Sequence, residues 1–191
     1  MKKNISLIDF GAGNLHSVYK ALKFIGAEAE VTKDINTIEK SDAVVFPGVG
    51  AFGAVMSSIR QNGLEDIIKK VATSKKSFLG ICVGMQVLFE EGEENPEEKG
   101  LGVLKGKVVR FKKAKKIPHI GWNDVNDKKY YFVHSYYVLP EDKNIVYAET
   151  EYDGEKFISI IKKNNLLAVQ FHPEKSGDAG LELLGDFVKS I

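Results

Sequence analysis

Apolar and polar positions fall into short blocks along the first half of the chain, and their period switches between that of a strand and that of a helix. Ile5, Leu7 and Ile8 make a short apolar run that predicts a buried strand over 5–8, ending in a turn through Gly11, Ala12, Gly13 and Asn14. From Asn14, apolar side chains recur at Leu15, Val18, Tyr19, Leu22 and Ile25, which is helical spacing, and Gly26 stops the helix. Strands are predicted over 27–32 and 43–46, the second ending at Pro47 and Gly48. Helical stretches follow at 52–60 and 64–71. A further strand then runs from Ser77 through Phe78 and Leu79 to Cys82, and a helix leaves through 85–89. Strands alternating with helices predict an α/β fold, with a mostly parallel central sheet flanked by helices.

Beyond Gly100 the pattern changes to short strands, at 108–109, 130–133, 145–148, 157–161 and 166–171. Turn signals such as Asp153-Gly154 and Asn164-Asn165 separate several of them. This half predicts a smaller antiparallel or mixed strand extension, closed by a helix over about 179–190, within one domain spanning 1–191. No internal repeat or linker-like segment interrupts it.

Composition narrows the function classes. The chain has 191 residues, 43% of them hydrophobic, which suits a globular domain with a sizeable core. A formal net charge of +1 gives no reason to expect nucleic acid or a membrane as partner. A lone cysteine excludes an internal disulfide framework and suits a reducing compartment. The apolar run after Lys3 is too short for a signal peptide, so the expectation is a cytoplasmic protein. The glutamates at 90, 91, 93, 94, 97 and 98, and the basic stretch from Lys105 to Lys116, read first as solvated faces.

Candidate chemistry begins at Cys82. It stands in Gly80-Ile81-Cys82-Val83-Gly84, at the end of one predicted strand and the start of a helix. By default a lone cysteine is a small buried hydrophobe. Glycines two residues to either side instead suggest a nucleophile elbow, where Cβ atoms would clash as strand and helix crowd together. A helix N-terminus beside the sulfur favours the thiolate. A cysteine nucleophile needs a base, and His172 follows the last predicted strand in His172-Pro173-Glu174. Glu174, two residues on, is placed to orient the imidazole and stabilise its cation. Gly48-Val49-Gly50 and the amide of Val83 are candidate oxyanion donors. The four histidines show no paired metal-ligand spacing, and no dinucleotide fingerprint follows a strand, so no metal or cofactor is expected.

With Gln86 and the run Gln170-Phe171-His172-Pro173-Glu174-Lys175-Ser176, these motifs resemble the class I (triad) glutamine amidotransferases. Four further segments resemble the glutaminase subunits of imidazole glycerol phosphate synthases within that class. They are Asp9 to Val18, Pro47 to Phe52, Pro118-His119-Ile120-Gly121-Trp122-Asn123, and Phe132 to Tyr137. Phe10 departs from a tyrosine common in that family, which removes a hydroxyl. The resemblance implies that Cys82, His172 and Glu174 hydrolyse glutamine, with Val49, Gly50 and Val83 at the oxyanion and Gln86, Glu94 and Tyr136 near the substrate. It also implies a heterodimer with a TIM-barrel cyclase subunit that receives the ammonia. His119, Trp122, Asn123 and Lys175 are then expected at the interface, and the loop at Gly48 to Gly50 is expected to reorient on activation. His134 reads as structural. The same motifs would serve a paralogous glutaminase feeding a surface-sugar pathway. The alternative of another class is a partner-independent cysteine peptidase or amidohydrolase.

Overall fold

The computed structural model describes residues 3–11 and 14–191, so Ala12 and Gly13 of the predicted first turn lie outside the described residues. In the first half, β1 (Asn4–Ile8), α1 (Leu15–Phe24), β2 (Glu28–Thr32), α2 (Ile35–Lys40) and β3 (Ala43–Gly48) alternate. They are followed by α3 (Phe52–Gln61), α4 (Glu65–Thr73), β4 (Ser77–Cys82) and a single helical turn, α5 (Val83–Gln86). The second half carries β5 (Glu91–Gly92), β6 (Gly106–Arg110), β7 (His119–Val125), β8 (Lys128–His134) and β9 (Tyr136–Pro140). It closes with β10 (Val146–Tyr152), β11 (Glu155–Lys163), β12 (Leu166–Val169) and α6 (Gly177–Lys189).

Seven strands form one sheet in the order β10-β11-β12-β4-β3-β1-β2. The five from β12 to β2 are parallel, and β11 and β10 continue the sheet antiparallel. A parallel sheet must be covered on both faces, and β3 is buried along its whole length. Val44 and Phe46 face a core layer with Val55, Met56, Ile67 and Ile68, whereas Val45 faces Val18, Leu22, Phe171 and Leu184 on the other side. Each fully buried side chain of this kind contributes about 1.5–3 kcal/mol against the ordering entropy. The register sets the site. Gly48 pairs with Cys82 and Val169 with Ile81, so β3, β4 and β12 all end at one edge.

Two smaller sheets stand over that edge, β5-β6-β9 and the hairpin β7-β8. The structure revises several expectations. The elbow helix occupies Val83–Gln86 rather than 85–89, because the chain turns away after Val87 to reach β5. β12 stops at Val169, opposite Ile81 and one residue short of the end of β4, rather than at residue 171. α2 was not predicted, since only Ile38 of its residues is buried. Its start is fixed by the Asp34 carboxylate accepting from Thr37 N–H at 2.8 Å. The glutamate-rich segment is more than a solvated face. Glu90 accepts from the Gly106 amide, Glu93 from the Arg110 amide and Glu94 from the Phe52 amide. The basic stretch also has a structural core, because the amides of Lys112, Lys113 and Ala114 donate to the buried Glu155 carboxylate.

The elbow glycines meet the crowding expected of them. A Cβ on Gly80 would lie 2.9 Å from the Gly84 carbonyl oxygen, and one on Gly84 would run into the Phe46 carbonyl oxygen of β3. Backbone cannot yield there as a flexible side chain can. Gly84→Ala is therefore expected to cost about 2–4 kcal/mol, measured as a drop in the denaturant midpoint with unchanged slope. An unchanged midpoint would refute the close approach of α5 and β3.

Candidate active site

Cys82 closes β4 with φ 54°, a left-handed conformation rare for a side-chain-bearing residue and held here by strand pairing before it and the helical turn after it. That turn of the backbone lifts the side chain out of the sheet edge. Its sulfur accepts from the Gln170 side-chain amide at 3.7 Å and faces the Val133 carbonyl at 4.0 Å.

His172 and Glu174 come from the segment that leaves β12. Glu174 lies in a single turn of 3-10 helix, Pro173–Lys175, so the side chains meet through that turn and not along an extended strand. His172 Nδ1 lies 2.9 Å from Glu174 Oε1, with both side chains almost wholly buried. Glu174 Oε2 has no hydrogen-bond partner among the described residues, which leaves the imidazole as the carboxylate's counterpart. The segment is clamped to the hairpin: His172 N–H donates to the Tyr131 carbonyl, and Ser176 Oγ links the His172 carbonyl to the Tyr131 amide. Burial pulls the His172 pKa down, but the Cys82 sulfur and the Glu174 carboxylate outweigh it and raise the value to about 10. The His172 proton is therefore held between a sulfur and a carboxylate.

A cavity of about 330 Å³ opens over this group. Val49, Gly50, Val83, Gln86, Glu94, Tyr136 and Lys175 line it together with Cys82 and His172. Gly50 has φ 123°, which glycine alone adopts readily, so the loop after β3 can turn its amides toward the cysteine side. Glu94 reaches the cavity while its Oε2 accepts from Phe52 N–H at 2.7 Å, tying the segment after β5 to the first residue of α3. Gln86 uses both amide protons, on the Tyr136 carbonyl and on Gln170 Oε1, each at 3.0 Å. Two larger hollows, one between α6 and β8 and one beside α2, hold no such constellation.

The surface residues divide. Trp122 is 55% exposed on β7, stacked edge-on against Tyr131, and Lys175 is exposed at the cavity mouth. Asn123 is half-buried, its amide donating to the Glu151 carbonyl at 2.9 Å. His119 is corrected: it is 2% exposed, stacked between Phe132 and Tyr152, and cannot itself meet a partner. The outward position beside it is Ile120, 57% exposed, which sequence reasoning passed over. Gln170 was missed too. It was visible only as part of a motif, with no sign that its amide would reach the sulfur. Burial holds His119 down at about 4, and it holds His134 down at about 3 with the neighbouring His119 and His172 adding to the effect.

A strained cysteine thus stands at the end of a central parallel strand of an α/β sheet, beside an imidazole that is paired with a buried carboxylate. Residues 6–191 match the family described as Glutamine amidotransferase class-I, and the chain belongs to that family. Its relatives are narrower still. "Imidazole glycerol phosphate synthase subunit HisH 1" of Methanococcus maripaludis is 46% identical over 204 residues, covering 98% of this chain and 100% of that protein. "Imidazole glycerol phosphate synthase subunit HisH" of Aquifex aeolicus is 46% identical over 195 residues, covering 95% and 94%. A structure described as "Crystal structure of glutamine amidotransferase" superposes with a TM-score of 0.79 over 98% of this chain and 99% of that one. At 22% identity it speaks for the fold.

Two outcomes follow from the triad geometry. In Cys82→Ala the sulfur that helps raise the His172 pKa is gone, so that residue's titration midpoint, followed by histidine NMR, moves down from about 10; an unmoved midpoint contradicts the pairing. In Glu174→Gln the amide disfavours the imidazole tautomer that faces the sulfur, and turnover falls by about 10²–10⁴ with little change in melting temperature. Full turnover in that variant would remove Glu174 from the machinery.

Proposed function

We propose that this chain is the glutaminase subunit of an imidazole glycerol phosphate synthase, releasing ammonia from glutamine for a cyclase subunit in histidine biosynthesis. The observation that carries the reading is the buried Cys82–His172–Glu174 constellation beneath one cavity, whose lining includes Cys82 and His172. Identity of 46% over nearly the full length to proteins bearing that subunit's name supports it. A cytoplasmic setting accords with a lone cysteine.

The chemistry runs in two halves. The Cys82 sulfur attacks the carboxamide carbon of glutamine, and the carbonyl π electrons move onto oxygen. Amides of Val49 or Gly50, together with that of Val83, hold this oxyanion. His172 gives its proton to the departing nitrogen, the carbon–nitrogen bond breaks, and ammonia leaves behind a γ-glutamyl thioester. His172, now neutral, takes a proton from water, whose oxygen attacks the thioester carbon. Collapse releases glutamate and restores the sulfur anion beside the imidazolium. Glu174 holds the imidazole in orientation throughout. Gln86, Glu94 and Tyr136 bound the space for the amino-acid end of the substrate.

Trp122 and Ile120 are the exposed apolar anchors of a cyclase-facing surface, with Asn123 and Lys175 as its polar rim. The glutamine-side cavity opens beside them through Pro118 and Lys175. Ammonia formed at Cys82 would pass into the partner through this face.

Glutamate release from glutamine tests the reading, measured for the chain alone and with the cyclase subunit, with and without its nucleotide ligand. Low activity alone and a large ligand-dependent rise in the complex are expected, with Cys82→Ala inactive yet still bound to the partner. A flat response with that cyclase would transfer the chain to another acceptor pathway, such as surface-sugar amidation. Hydrolysis of peptides or simple amides without a partner would replace the reading with a cysteine hydrolase.

A further inference from the structure

Two histidines outside the triad form a buried hydrogen-bonded pair whose proton positions are fixed from both ends. The Tyr136 carbonyl can only accept, so His134, 2.8 Å away through Nδ1, carries its proton there. His134 Nε2 is then a bare acceptor, and His119 Nδ1, 3.1 Å away, must donate to it. That leaves His119 Nε2 as an acceptor, 3.4 Å from the Asn123 side-chain nitrogen. Asn123 presents its NH₂ there because the same nitrogen donates to the Glu151 carbonyl. The assignment closes without conflict only if both imidazoles are neutral. A second proton on either ring would set two donors face to face.

The same carbonyl joins this pair to the nucleophile. Tyr136 oxygen also accepts from Gln86 Nε2, whose second proton goes to Gln170 Oε1. With its oxygen so engaged, Gln170 turns its NH₂ toward the Cys82 sulfur. An N–H dipole there stabilises a sulfur anion, whereas a flipped amide would set a carbonyl oxygen against it. Aromatic rings enclose the pair: Phe111, Phe132, Phe157 and Tyr152 pack on one imidazole or both. They pack the pair on its sides away from the cavity, which His134 reaches.

We propose that His134 and His119 are positioning residues for the nucleophile: a locked neutral pair that fixes the Tyr136 carbonyl and, through Gln86 and Gln170, keeps an N–H donor on the Cys82 sulfur. The pair moves no proton during the reaction. It leaves His172 as the single charged imidazole in the cavity. The inference rests on Cys82 being the nucleophile of the proposed glutaminase, and its test needs no glutamine.

Nitrogen-15 NMR of histidine-labelled full-length chain reads the tautomers directly. Both rings are expected neutral and protonated at Nδ1 throughout about pH 6 to 8, where an ordinary histidine titrates. An Nε2–H tautomer or an imidazolium at either position overturns the assignment. Alkylation of Cys82 by iodoacetamide then reads the consequence. His134→Phe keeps the ring shape but removes both hydrogen bonds, and it is expected to slow alkylation about five-fold or more. His134→Asn keeps a donor where Nδ1 stood, and it should return the rate to within about two-fold of the parent. Thermal melts establish that each variant folds. A Phe variant reacting at the parent rate, or an Asn variant as slow as the Phe variant, overturns the positioning role. If the Phe variant does not fold, the NMR result and the Asn variant decide. If the chain proves to have no glutaminase activity, both readouts still stand, so the two failures are distinguishable.

Discussion

The left-handed backbone at Cys82 is the constraint from which the rest of the site follows. Strand β4 must end where β3 and β12 end, because Gly48 pairs with Cys82 and Val169 with Ile81. The chain must also turn at once into α5, since any delay would lose contact with the Phe46 carbonyl against which Gly84 sits. A φ of 54° makes that turn, and a conformation so unfavourable persists because pairing on one side and a helical turn on the other over-determine it. Its result is a sulfur standing clear of the sheet edge, at the carboxyl ends of parallel strands where open α/β folds place their ligands.

Electrostatics then divides the three buried imidazoles. His172 sits between a sulfur and a carboxylate and holds its proton; His134 and His119 face a carbonyl and each other and stay neutral. Burial pulls all three down, and only at His172 do a sulfur and a carboxylate outweigh it. A charged His134 would repel the His172 imidazolium and break the chain of hydrogen bonds that ends on the sulfur. The hairpin β7-β8 thus does more than roof the cavity. Its outer side carries Ile120 and Trp122, while its inner side carries the His119–His134 contact that leads through Tyr136, Gln86 and Gln170 to the Cys82 sulfur.

Much of this was legible in the sequence where local pattern and tertiary role agree. The parallel strands are continuous apolar runs, α1 has apolar residues at helical spacing, and the glycines around Cys82 signal close packing. Legibility failed where polar residues face inward. β7 buries His119 and turns Ile120 and Trp122 outward, the reverse of the usual alternation, so it was not recognised as a strand and His119 was expected at the surface. α2 shows one buried residue and depends on an aspartate cap rather than a hydrophobic stripe. Glu94 was expected near the substrate and does line the cavity, but its bond to Phe52 and the contact of Gln170 with Cys82 were hidden for another reason. Each acts through a partner more than forty positions away, the Phe52 amide and the Cys82 sulfur, and no local pattern encodes such a pairing.

The central claim is that the Cys82 sulfur itself becomes acylated. The most direct test mixes the complex with glutamine, quenches in acid during turnover, and maps the chain by mass spectrometry. A γ-glutamyl thioester on the peptide containing Cys82, absent from the Cys82→Ala variant, is the predicted result. Consumption of glutamine with no acyl group on Cys82 at any time in the turnover would contradict the account.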